Sequence, residues 1–177
     1  MRIFLIYMGT KQGIDQVMPA GYRFVPTDQE LVFHYLKKKD SRKPLPAQCI
    51  MEMDAISFYN QPPMILVGAD LSRKKEWYFF VRGHEYYHGE KKKKQVVGNV
   101  SGFWRSIGEE DPIYNSNGAV FAFKIYFTYF SGTLQKAKRT HWSMELYRLP
   151  VKCDAKLQRD KWVLGRIRRG QDYNSCL

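Results

Sequence analysis

The residues with the clearest chemical spelling are His84-Glu85-Tyr86-Tyr87-His88, an HExxH pattern. On a helix, i,i+4 spacing puts both imidazoles on one zinc ion and leaves the glutamate as general base. Here Gly83 and Gly89 flank the pattern, and the paired tyrosines favour a strand or loop. The other histidines, His34 and His141, supply no recognisable third-ligand motif. The pattern therefore reads as two loop histidines, with a zinc metallopeptidase as the enzyme alternative. Cys49, Cys153 and Cys176 are odd in number and too far apart for a zinc-ligand pair, so they read as reduced thiols. No G-x-S-x-G elbow or glycine-rich phosphate loop occurs, and Cys49 has no evident base partner. The expectation is a protein that is not an enzyme and needs no cofactor or metal.

Charge points elsewhere. The net charge is +12, and two windows account for it. Residues 82–105 hold Arg82, Lys91, Lys92, Lys93, Lys94 and Arg105 against Glu85 and Glu90. Residues 133–170 hold eleven basic residues against three acidic ones, and the remainder sums to zero. Aromatics inside both windows (Phe103, Trp104, Trp142, Tyr147, Trp162) tether this charge to folded structure. A neutral fold with two basic windows is suited to a polyanion, with nucleic acid the leading partner. A solvated, solubilising lysine surface is the plainer alternative.

These side chains need elements to position them. At 177 residues with 44% hydrophobic content, the chain can fill one core. Thr27 and Glu30 make a capping box that opens a helix, with Leu31, Tyr35 and Leu36 on one face and Lys37–Lys39 at its end. Met51–Phe58 predicts a short second helix before Pro62-Pro63. Strands follow. Glu76–Val81 is aromatic and β-prone, and Phe121, Phe123, Ile125, Phe127 and Tyr129 share one face at period two. Trp142, Met144 and Leu146 alternate likewise, and Lys161–Ile167 predicts a last, edge strand. Asn117-Gly118 and Ser131-Gly132 suit antiparallel hairpins. The apolar run Ile3–Met8 is too short for export or for a membrane span.

Five ordered blocks then resemble the NAC domain of plant transcription factors, from about Met18 to Arg169. MPAGYRFVPTDQELVFHYLKKK looks like the opening L-P-P-G-F-R-F-x-P-T-D-E-E-L, and EWYFF is the next anchor. SGFWRSIG stands where the family has S-G-Y-W-K-A-T-G. KRTHWSMELYRL resembles K-T-x-W-x-M-H-E-Y-R-L, and DKWVLGRI resembles D-W-V-L-C-R-I. The departures are a longer loop, HGEKKKKQVVGNV, no tryptophan after Met53, and a V-G-x-K-K stretch that keeps only Lys124.

The resemblance implies an α+β, mainly β fold: a twisted antiparallel β-sheet flanked by a few helices, residues 18–170, after an extension at 1–17 and before a tail at 171–177. It implies a nuclear, sequence-specific binder of double-stranded DNA that is dimeric with itself or with related domains. An edge strand enters the major groove, and the recognition segment is Phe103, Trp104, Arg105, Ser106, Ile107 and Gly108. Trp104 would hold the tip. Arg105 stands where the family has lysine, and its fork can pair with guanine O6 and N7; Ile107 stands where the family has threonine. Arg82, Lys91–Lys94, Lys136, Lys138 and Arg139 suit phosphates. Gly21, Tyr22, Arg23, Phe24 and Glu30 match the dimer contact, with Arg23 and Glu30 paired across the two-fold axis. The binding-module alternative is a β-domain that stacks single-stranded bases on Trp104 and Phe103. The chain stops at Leu177 without the usual low-complexity tail, as a fragment or a binder that does not activate would.

Overall fold

EWYFFV has no polar break because both faces of its strand are covered, as apolar runs without alternation require. The computed structural model describes residues 23–68, 75–82, 96–99, 101–150 and 162–170. Seven strands form one sheet: β1 (Met51–Asp54), β2 (Glu76–Arg82), β3 (Val96–Asn99), β4 (Gly102–Tyr114), β5 (Val120–Ser131), β6 (Lys138–Arg148) and β7 (Trp162–Arg169), in the order β1-β2-β7-β6-β5-β4-β3. The α+β, mainly β expectation holds. All pairings are antiparallel except that of β1 with β2.

Trp77, Phe79 and Val81 point to one core, with Phe127, Trp142, Met144 and Ile167 and the short helices Ala55–Asn60 and Pro63–Val67. Tyr78 and Phe80 point to the other, with Leu164, Tyr147 and Leu31, Val32, Tyr35 and Leu36 of the N-terminal helix. That helix runs through Asp28–Glu30, Leu31–Leu36 and Lys37–Asp40, with wide π turns in its middle part. Its capping box is formed: Glu30 N donates to Thr27 Oγ1 (3.2 Å), and Thr27 N donates to Glu30 Oε2 (2.7 Å).

Three expectations need correction. An edge strand is expected at Lys161–Ile167, but β7 lies between β2 and β6, with Val163–Ile167 all buried. Met51–Phe58 is not all helix: Met51–Asp54 pairs with Phe79–Arg82, and the helix starts only where Asp54 caps Ser57 N (2.8 Å). Pairing to an open sheet edge overrides local propensity there. The β5 stripe holds for Ile125, Phe127 and Tyr129, whereas Phe121 packs with the other cluster, beside a register shift near Ile113 and Tyr114.

Gly165 sits where the resemblance places cysteine. A Cβ there would lie 2.6 Å from Phe58 Cζ, so the fully buried Phe58 ring occupies the space that a side chain would need. Gly165→Cys is expected to destabilise the domain by about 1–3 kcal/mol, the usual cost of overpacking, as read by chemical denaturation. Gly165→Cys with Phe58→Leu should recover part of the loss.

Candidate nucleic-acid interface

Strand alternation sends Trp104 and Ser106 to one face of β4 and Phe103, Arg105 and Ile107 to the other. Trp104 is fully buried and meets Tyr129 edge-on, with ring centroids 5.1 Å apart. Ser106 is buried as well. On the opposite face Phe103 stacks on Phe130, centroids 5.6 Å apart and planes within 8°. The Arg105 guanidinium lies 4.8 Å from the Phe130 ring and 5.4 Å from that of Phe103. An aromatic platform of this kind orients the guanidinium while leaving edge N–H groups available to a partner. Ile107 is 49% exposed, and Gly108 follows at φ +74°, a left-handed conformation that glycine adopts without cost.

Pairing decides which basic residues share this place. Phe103 opposes Phe130, which opposes Arg139, and Ser131 opposes Lys138. Lys136 lies in the β5–β6 turn, where its N–H donates to Thr133 O (3.0 Å). Lys136, Lys138 and Arg139 are exposed, so they gather with Arg105 at one end of the sheet. Arg82 does not join them: it opposes Trp162 at the other end. Sequence reading missed Lys75 and Arg169, which the strand order brings to the basic end. Both lie in basic stretches, Arg73-Lys74-Lys75 and Arg168-Arg169, that could have flagged them.

Phe103–Arg105 is not at the rim of the sheet, because β3 pairs with Gly102–Arg105. From Ser106 onward, β5 is the partner of β4 among the described strands. Lys91–Lys94, Gly21, Tyr22 and the His84–His88 pattern lie outside the described residues. Arg23 is exposed, Phe24 meets Tyr35 and Tyr78 edge-on, and Glu30 already serves the capping box.

A second cluster anchors the N-terminal helix to this face. Arg166 Nη2 donates to Asp28 Oδ1 (2.8 Å) and also engages Glu145. Lys124 Nζ donates to Asp28 Oδ2 (2.6 Å), and the Tyr147 hydroxyl lies within bonding distance of Asp28 and Glu145. Burial raises the Asp28 carboxyl, but the Lys124 and Tyr147 hydrogen bonds and the Arg166 and Lys124 charges outweigh it and leave it lowered. Arg168 extends the network to Glu76 and Glu145, both at 2.8 Å.

The family model described as No apical meristem (NAM) protein matches residues 19–149. The chain is 35% identical over 162 residues to NAC transcription factor 32 of Arabidopsis thaliana, covering 89% of this chain and 61% of that protein. It is 34% identical over 157 residues to NAC domain-containing protein 68 of Oryza sativa subsp. japonica, covering 85% and 48%. With NAC domain-containing protein 2 of Solanum lycopersicum the identity is 34% over 167 residues, covering 90% and 58%. The chain thus spans roughly half to three fifths of the length of these curated relatives.

Proposed function

The chain belongs to the NAC (No apical meristem) family, and on that premise we propose that residues 18–170 are a sequence-specific double-stranded DNA-binding domain of a nuclear transcription regulator. The observation that carries this reading is the basic end of the sheet, with Arg105 set on the Phe103–Phe130 pair beside exposed Lys136, Lys138 and Arg139. Phosphate contacts from the lysines and arginines supply affinity, and Arg105 with Ile107 supplies the base preference. Phe103 and Trp104 are buried, so neither offers a face on which a single-stranded base could stack. Duplex is therefore the preferred ligand.

Selection from randomised duplexes tests the proposal: an enriched sequence is expected, and a pool that stays random after several rounds rejects it. The Lys91–Lys94 run adds phosphate contacts in this reading. Changing all four to alanine should weaken binding to enriched and scrambled duplexes alike. The slope of log K against log salt should flatten by about 0.9 for each phosphate that is no longer neutralised. Very unequal losses on the two duplexes would contradict a phosphate role.

The domain acts as a dimer, with itself or with a relative, and Arg23 pairs with Glu30 of the other copy. Because Glu30 Oε2 also caps its own helix, Glu30→Ala would remove cap and charge together. Glu30→Gln keeps the capping box and removes only the charge. Arg23→Ala and Glu30→Gln should each weaken dimerisation a few-fold in sedimentation, with little change in melting temperature. A wild-type domain that sediments as a monomer at high micromolar concentration counts against the pairing.

A further inference from the structure

Directly after the Arg105–Gly108 segment, β4 carries a bulge. Between the pairs Ile107–Tyr126 and Asp111–Lys124, β4 advances four residues and β5 two, so two residues of β4 are extra. A bulge bends its strand and re-aims the flanking side chains. One that shifts by a single residue sends those side chains to the opposite face. Something must fix which residues are extra.

Arg148 of β6 reaches across β5 to the bulge. Its Nε and Nη2 donate to the two oxygens of Glu110 at 2.7 and 2.5 Å, a fork-to-carboxylate pair. The guanidinium lies 4.4 Å from the ring of Phe123, the β5 residue that opposes both Arg148 and Pro112. The two side chains are only 12% and 21% exposed, whereas the adjacent Glu109 and Asp111 are exposed. A planar fork held on a ring and bonding both carboxylate oxygens ties Glu110, a residue of the bulge, to one position relative to β6.

We infer that the Arg148–Glu110 pair is a positioning device for base reading. It fixes the bulge so that Arg105 and Ile107 are presented in one geometry, and it does so without touching DNA itself. This rests on the DNA-binding reading above and adds to it residues that govern specificity from behind the contact surface.

The test uses the full chain, the duplex enriched from a randomised pool, and a scrambled duplex. E110A should lower the ratio of enriched to scrambled affinity by about tenfold, the worth of one good base contact. Scrambled-duplex affinity and its salt slope should be unchanged. Without DNA, backbone amides of residues 107–111 should exchange faster in E110A while those of β7 do not. E110Q, which matches glutamate in size, should show a smaller loss in the same direction; if E110A does not fold, E110Q carries the test. An unchanged ratio, or equal losses on both duplexes, overturns the inference while leaving the DNA reading standing. A wild-type chain that fails to discriminate duplexes at all overturns both.

Discussion

Replacing Arg166 with alanine is expected to destabilise the domain by about 3 kcal/mol, the lower end of the cost of breaking a buried ion pair, because Arg168 stays on Glu145 and Lys124 on Asp28. Arg166 is 5% exposed and Glu145 7%, so the bonds Glu145 loses are not replaced by water, and Arg168 is the cation that remains on it. Asp28 loses a 2.8 Å bond at the same stroke, and it sits in the first turn of the N-terminal helix. Denaturant unfolding should read the loss directly. Arg166→Met together with Glu145→Leu should cost much less than Arg166→Ala alone, because the buried charge leaves with its partner. Equal losses would show that Arg166 acts by packing alone.

The same network sets an acid limit. Desolvation raises Glu76, but the Tyr78 hydrogen bond and Arg168 outweigh it, so Glu76, like Asp28, titrates below its ordinary value, 4.5 and 3.8 respectively. A carboxyl lowered on folding adds stability that is present above its unfolded pKa and is lost as pH falls through the folded one. Melting temperature should therefore hold down to about pH 5 and drop below ~4. The drop should be shallower in Asp28→Asn, which has one fewer such group to protonate.

Arg166 also shows what the sequence could not disclose. It counts toward a basic window, yet its partners stand 21 and 138 residues away, and only the strand order brings them to it. Period-two patterning assigns faces, which is why Trp142, Met144 and Leu146 fall together in sequence and structure alike. It does not assign neighbours. The β7 segment therefore reads as an edge although it lies between β2 and β6, and Arg82 groups by charge with cations at the opposite end of the sheet. The capping box is legible because Thr27 and Glu30 are three residues apart and act on each other. The Glu110–Arg148 pair is not, because it spans 38 residues and depends on the β4 bulge.

At the recognition segment, Arg105→Ala should cost roughly 1–3 kcal/mol on the enriched duplex and much less on a scrambled one. The reason lies in how the side chain is held. Resting on Phe130 and Phe103, the guanidinium has lost much of its rotamer freedom before any ligand arrives. Its planar fork then demands two acceptors in plane, as guanine O6 and N7 provide, whereas lysine is a point charge that accepts several arrangements. Arg105→Lys should accordingly keep overall binding and relax the guanine preference. Exposed Ile107 adds apolar surface that gains against a thymine methyl and gains nothing against cytosine N4, so the enriched site should pair a G with a nearby T. Phe130→Leu separates platform from fork: it removes the surface beneath Arg105 and leaves the donors, so it should lower enriched-site affinity less than Arg105→Ala does. Equal losses for Arg105→Ala on enriched and scrambled duplexes would make Arg105 a phosphate contact, and base reading would then fall to residues beyond Ile107.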